Sequence, residues 1–303
     1  MYADYYHIRE LPFRLTPDTA FFFPWSGALQ AWTMLNIALD AGEGFLMVTG
    51  EPGMGKTLLC RKLLNELGKN YLTAYIPNPL LAPMDLYQAL AGELSLPLEK
   101  GEGFQNLIER ITKRLIELRH EGQQVVVIID EAQSLPTESL EALRLMTNLE
   151  TEKEKILQVV LLGQTELVRR LKGPGLSQML QRITFSHVLN PMRVGDVERY
   201  VEHRMRVAGH QGAPLFHPRA VRSIARASKG VPRLVNILCH KAMMTAFGRG
   251  DSVVAPRHVR SAVKDSSGIG RWFPVPSLPV VAAGGVASMF GAGIAVLSWS
   301  LLH

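Results

Sequence analysis

Residues 50–57 read Gly-Glu-Pro-Gly-Met-Gly-Lys-Thr, a complete G-x-x-x-x-G-K-[ST] pattern. A short apolar, strand-forming run precedes it at 45–49, and a stretch with helical spacing follows at 56–67. Strand, glycine-rich turn and helix together are the setting in which this pattern cradles phosphate. The glycines let successive backbone N–H groups face one anion, and the helix N-terminus adds a positive end. Gly50, Glu51, Pro52, Gly53, Met54, Gly55, Lys56, Thr57 and Leu58 are therefore the residues expected to surround bound nucleotide phosphates. Lys56 is expected to reach the β- and γ-phosphates, and Thr57 to ligate Mg²⁺.

The remainder of the first two thirds fits that demand. Apolar runs rich in β-branched residues occur at 45–49, 72–76, 125–129, 158–162 and 184–189, with helical stretches near 56–67, 84–95, 103–121, 137–150 and 165–172. Continuous apolar runs, as opposed to alternating ones, suit strands covered on both faces. Strands alternating with helices predict a parallel α/β sheet with right-handed crossovers. After Pro191 the strand signal stops. Helices are expected at 195–209, 217–229, 232–248 and 256–265, three of them with a proline (Pro218, Pro232, Pro256) in the first turn. The expected organisation is an aromatic N-terminal extension (1–41) packing on the core, an α/β nucleotide domain (42–190), a helical lid (191–265), a linker (266–277) and an apolar tail (278–302).

Three further positions bear on the chemistry. The run 125–129 ends in Asp130-Glu131. Asp130 is placed to hold Mg²⁺ through water, and Glu131 to orient and deprotonate an attacking water. That acid pair favours hydrolysis over phosphoryl transfer to a metabolite. Gln164 follows the fourth strand, where its amide could touch the γ-phosphate or the lytic water. Arg182, before the fifth strand, is a candidate arginine finger for a neighbouring subunit, with an ordinary surface arginine as the alternative. Arg233, in Gly-Val-Pro-Arg at 230–233, opens a lid helix and could close over the nucleotide.

Composition sets the outer limits. The 303 residues, 47% hydrophobic and 20% charged, exclude a disordered chain and a polytopic membrane protein. Cys60 and Cys239 form no disulfide framework, which suits a reducing compartment, and Cys60 reads as a packing residue. The nine histidines show no metal-ligand spacing. The opening Met-Tyr-Ala-Asp has neither a basic nor an apolar leader region, so no signal peptide is expected. The net charge of +6 is uneven: residues 191–271 hold 15 Lys+Arg and 5 Asp+Glu, or +10, leaving −4 elsewhere. Residues 279–302 carry no charge at all. A helix over 280–301 would be ~33 Å long against a hydrocarbon core of ~30 Å, so a single membrane span is expected, with a buried helix of a soluble domain as the alternative. Lys264 and Arg271 flank its N-terminal side, which places 1–271 in the cytoplasm by the positive-inside rule.

Residues 50–57, 125–133, 163–167 and 230–236 (Gly-Val-Pro-Arg-Leu-Val-Asn), with the opening 5–17, together resemble the AAA+ ATPases of the ExeA/GspA group. The resemblance covers about residues 1–265. It implies a five-stranded sheet whose fourth strand lies between the Walker A and Walker B strands. It also implies Gln164 as sensor 1, Arg182 as the finger and Arg233 as sensor 2, and allows Phe13 either to stack on adenine or to pack in the core. Gln164 departs from the Asn or Thr of many AAA+ proteins. Implied too are ATP and Mg²⁺ as ligands, a nucleotide-dependent homo-oligomer such as a ring, and pilus or secretion proteins at the bacterial inner membrane as partners. Secretion members of the group carry a periplasmic peptidoglycan-binding domain after their membrane span; the sequence ends at His303, so wall binding is not carried over from them. Three functions are compatible with the residues: a membrane-tethered Mg-ATP hydrolase serving a type IV (MSHA-like) pilus or secretion complex, a DNA-binding AAA+ protein using the basic lid, and a nucleotide-gated scaffold. The first is the expectation, with nucleic acid not expected as the partner and anionic lipid the simpler match for the lid's charge.

Overall fold

The computed structural model describes residues 2–77, 79–99, 101–147, 155–173 and 175–266. Five parallel strands, β1 (Phe45–Thr49), β2 (Tyr71–Ile76), β3 (Gln124–Ile129), β4 (Leu157–Gly163) and β5 (Ile183–Val188), form one sheet in the order β2-β3-β4-β1-β5. The central strands β1, β3 and β4 are buried at every position, whereas the edge strand β5 is mostly exposed. That is the physical origin of their unbroken apolar runs, since each central strand is covered on both faces. The one polar residue within β4, Gln158, is fully buried and donates its amide to the carbonyls of Leu39 (3.1 Å) and Glu43 (2.9 Å). A buried amide without such partners would cost roughly 1–3 kcal/mol.

The helices are α1 (Tyr2–Tyr5), α2 (Ser26–Asp40), α3 (Lys56–Glu66), α4 (Pro83–Glu93), α5 (Phe104–His120), α6 (Thr137–Met146), α7 (Thr165–Leu171), α8 (Ser177–Arg182), α9 (Val194–Val207), α10 (Pro218–Ser228), α11 (Pro232–Phe247) and α12 (Pro256–Asp265). Helices α4 and α5 pack on the β2–β3 side of the sheet and α2 on the β5–β1 side, while α9–α12 pack on one another. The strand order carries the P-loop strand β1 next to β4, with β3 beyond. Thr49 pairs with Gly163 and Ile129 with Leu161, so the C-terminal ends of the three strands lie side by side. The crevice at those ends is where open α/β sheets bind ligands.

One element departs from the expectation. The six-residue α8 has no counterpart in the sequence reading, because its buried Met179 alone is too little for a helical period to register. Within the extension, the aromatic opening docks on the lid and α2 packs on β1 and β5. The Tyr2 hydroxyl meets His240 Nδ1 at 2.8 Å, Tyr5 stacks edge-on against Phe247, and the Tyr6 hydroxyl donates to the Asp251 carbonyl at 3.1 Å. Residues 1–266 are accordingly one compact unit. The expected linker beyond Ser266 and the expected span at 278–302 lie outside the described residues. Among the described residues no helix is long and apolar enough to cross a membrane.

Candidate nucleotide site

The loop after β1 takes the shape its glycines permit. Gly53 and Gly55 adopt φ of +83° and +87°, a region that costs other L-residues about 1–2 kcal/mol. At Gly53 space is a second constraint. A Cβ there would stand 2.8 Å from the Arg233 Cβ, and the Gly53 carbonyl accepts the Arg233 backbone N–H at 3.2 Å. The lid is thus seated directly on the loop.

Lys56, the first residue of α3, is only 4% exposed, and its ammonium donates to the carbonyls of Gly50 (2.9 Å) and Glu51 (3.3 Å). Burial lowers its pKa, opposed by the carboxylates of Glu131, Asp130 and Glu51. The next side chain, Thr57, donates its hydroxyl to Asp130 Oδ2 at 2.7 Å. Asp130 is 3% exposed, and its other oxygen accepts the Glu131 backbone N–H at 2.9 Å. Burial raises its pKa, against the two hydrogen bonds that favour the anion. The loop and the end of β3, 73 residues apart in sequence, are therefore one polar cluster. A hydroxyl and a carboxylate side by side in a hard-oxygen environment, next to a buried ammonium, suit Mg²⁺ and a polyphosphate.

Glu131 is a non-glycine residue with φ of +51°. Its Oε2 accepts from Gln133 Nε2 (2.6 Å) and Gln164 Nε2 (3.4 Å). Gln133 is not singled out by the sequence, yet it joins the parts: its Oε1 accepts the Gln164 N–H at 2.9 Å, and its backbone carbonyl accepts from Arg170. No residue pattern marks an amide two places past an acid as a brace, so only the fold reveals it. On the far side of the loop, Thr165 donates to Glu51 Oε1 at 2.7 Å, tying the loop to the start of α7.

A cavity of about 230 Å³ is lined by Pro52, Gly53, Gly55, Lys56, Thr57 and Leu58 of the loop region, by Glu131 and Gln164, by Arg14 to Asp18 of the extension, and by Tyr200, Arg204, Arg233 and Asn236 of the lid. The other loop positions face elsewhere. Gly50 abuts Leu189, Glu51 turns to Thr165, and Met54 is buried. Phe13 takes the core alternative: it is 2% exposed and meets Phe216 edge-on at 5.8 Å, leaving residues 14–18 as the cavity wall. The lid contributors Tyr200, Arg204 and Asn236 escape sequence reasoning because their spacing on helices reads as ordinary core. They form a chain in which Arg204 Nη1 donates to the Tyr200 hydroxyl (2.8 Å) and that hydroxyl to Asn236 Oδ1 (2.8 Å). Arg182 does not line the cavity. It is exposed and adjoins Ile183, which pairs with Phe45 at the end of β1 remote from the loop. Cys60 and Cys239 are buried and free, with burial pushing the Cys60 thiol up to about 12. Among the described residues no cluster of three or more His, Cys, Asp or Glu could hold a metal.

Residues 39–171 match the AAA domain family. The chain is 40% identical to general secretion pathway protein A of Aeromonas hydrophila over 90% of its own length, and spans 50% of that relative. It is 26% identical to the ATP-dependent target DNA activator B of Escherichia phage Mu, over 74% of this chain and 67% of that protein. In structure it is similar to the ORC2 protein of Aeropyrum pernix, with a TM-score of 0.61, 18% identity, and coverage of 82% of this chain and 72% of that one. The fold is an α/β P-loop fold of the AAA type, with a parallel five-stranded sheet.

Proposed function

We propose, taking the AAA-type P-loop fold as the premise, that this chain hydrolyses Mg-ATP and that its cycle drives assembly of a type IV (MSHA-like) pilus or a secretion complex at the bacterial inner membrane. The secretion relative supports the setting. The observation that carries the hydrolysis is the Thr57–Asp130 contact at 2.7 Å with Glu131 immediately after it.

Lys56 exchanges its two carbonyl partners for the β- and γ-phosphate oxygens of ATP. Thr57 and Asp130 would hold Mg²⁺, which would neutralise the charge that develops on the phosphate oxygens. Glu131 accepts a proton from the attacking water as the water oxygen bonds to the γ-phosphorus. The bond from that phosphorus to the bridging β–γ oxygen breaks, giving ADP and phosphate, and the proton on Glu131 passes to solvent. Gln164 and Gln133 position the Glu131 carboxylate, and Arg233 closes the lid side. The uncharged tail at 278–302 anchors the chain by a single span, with the ATPase in the cytoplasm.

Glu131→Gln keeps the shape and removes the base. Its phosphate-release rate is expected to fall by about 10²–10⁴-fold, the usual worth of general base catalysis, with ATP affinity retained in calorimetry. Wild-type turnover in that variant would remove Glu131 from the role. The same variant, loaded with ATP and isolated from detergent-solubilised membranes, is expected to co-purify pilus or secretion proteins; recovery only in the soluble fraction would refute the anchor.

A further inference from the structure

The lid's charge becomes a defined surface once its ion pairs are assigned. Between residues 203 and 250 the sequence has no Asp or Glu. Arg199 pairs with Asp196, Arg206 with Glu202, Lys241 with Asp265 and Arg257 with Asp251, while Arg204 is buried. Arg219, Arg222 and Arg226 are different. All three are exposed on α10 and none makes an ion pair among the described residues; the same holds for the exposed Arg193, Arg249, Arg260 and Lys264, but these three share one face of a single helix.

Their spacing of three and then four residues stacks them on one face of the helix. At 1.5 Å per residue they span ~10 Å. The opposite face of α10, with Ala220, Val221, Ile224 and Ala225, is buried against the rest of the lid, so the arginines cannot turn inward. Besides them, the outer face of α10 holds Pro218, Ser223 and Ala227, none of them a large apolar side chain.

We propose that this face of α10 binds the phosphate backbone of duplex nucleic acid. Guanidinium forks match phosphate oxygens in pairs, and such contacts carry affinity without sequence choice. A duplex presents one charge per ~1.7 Å of axis, so a ~10 Å face meets about six. A helix that beds into lipid carries large apolar residues along the basic stripe, and a protein interface carries an apolar centre; the outer face of α10 has neither. The face is also tied to the nucleotide site. The Lys229–Gly230 turn joins α10 to α11, whose Arg233 N–H is bonded to the Gly53 carbonyl. The inference stands apart from the hydrolysis reading, because phosphate contact needs no turnover.

The test uses the full chain in mild detergent and a fluorescently labelled 30-base-pair DNA, with anisotropy followed from 50 to 200 mM salt. Wild type is expected to bind with an affinity that falls steeply as salt rises. The charge reversal R219E/R222E/R226E is expected to flatten the slope of log affinity against log salt by about 2.7, at about 0.9 for each phosphate no longer neutralised. Across that fourfold salt range the difference corresponds to about a 40-fold change in affinity. The charge-keeping R219K/R222K/R226K is expected to hold the wild-type slope, and each single reversal to remove about 0.9 should the triple variant misfold. The proposal is overturned if the reversals leave the slope unchanged, if wild type does not bind the duplex at 50 mM salt, or if vesicles of anionic phospholipid bind to the face and DNA does not.

Discussion

Lys56 and Asp130 are buried charges held in a cluster that a ligand would complete. The Lys56 ammonium is satisfied by two carbonyls of the loop, not by a carboxylate. Removing it leaves phosphate oxygens without their buried cation. Lys56→Ala is therefore expected to weaken ATP binding by at least about 100-fold in calorimetry, since two charge-assisted hydrogen bonds are worth roughly 3–6 kcal/mol; retained affinity would contradict it. Asp130 makes the opposite point. Burial raises its pKa, so folding favours the protonated form. Its contribution to stability is fully present below the unfolded value near ~3.9 and is lost as pH rises through the raised folded value. Asp130→Asn removes that penalty while leaving Thr57 and Glu131 hydrogen-bond partners. Without Mg²⁺ it is expected to melt above wild type at pH 7, by about 2–4 °C for each kcal/mol recovered. The gap is expected to shrink as pH falls toward ~4; a gap independent of pH would show that Asp130 is not the titrating group.

At the scale of elements, the turn between α10 and α11 decides how the lid meets the loop. Lys229 and Gly230 both have positive φ, and the Gly230 carbonyl accepts the Met192 N–H at 3.0 Å. A Cβ on Gly230 would fall 2.0 Å from the Met192 carbonyl oxygen, a position no side-chain adjustment relieves. Gly230→Ala is expected to cost about 2–5 kcal/mol, combining left-handed strain with overpacking of backbone. Denaturant unfolding measures that loss, and ATP affinity falls with it because Arg233 is displaced. A change under ~0.5 kcal/mol, the scale of an ordinary surface substitution, would mean that the lid tolerates another path. Elements of this kind divide by how they were legible. The apolar runs of β1, β3 and β4 stand out because both faces are covered, and Pro218, Pro232 and Pro256 mark helix starts by chain chemistry alone. The six-residue α8 and the docking of Tyr2, Tyr5 and Tyr6 on the lid were not readable, since both depend on surfaces supplied by distant residues.

For the whole molecule, Arg182 lies one strand length from the candidate nucleotide site of its own chain. Ile183 pairs with Phe45 and Val188 with Thr49, so the separation along β5 is roughly 17 Å at ~3.3 Å per residue. In an assembly it would have to serve a neighbour. Arg182→Ala is expected to lower turnover by about 10³-fold or more, the usual range for arginine fingers, with nucleotide affinity nearly intact. Mixing Arg182→Ala with Glu131→Gln chains is expected to restore activity that neither shows alone, because an intact Glu131 then meets an intact Arg182 across the interface. If the mixture stays inactive, or if Arg182→Ala loses binding and turnover equally, the arginine acts elsewhere.

The phosphate loop, the acid pair after β3, the five strands and the basic balance of the lid are properties of adjacent residues, and the sequence by itself determined them. Short-range chemistry suffices there: glycine where φ must be positive, unbroken apolar runs where both faces are buried. The brace of Gln133 on Glu131, the seating of Arg233 on Gly53 and the lack, among the described residues, of any ion-pair partner for Arg219, Arg222 and Arg226 were decided only by the tertiary structure. Each depends on which distant groups come within hydrogen-bonding or ion-pairing reach, and that distance is set by the packing of the whole chain.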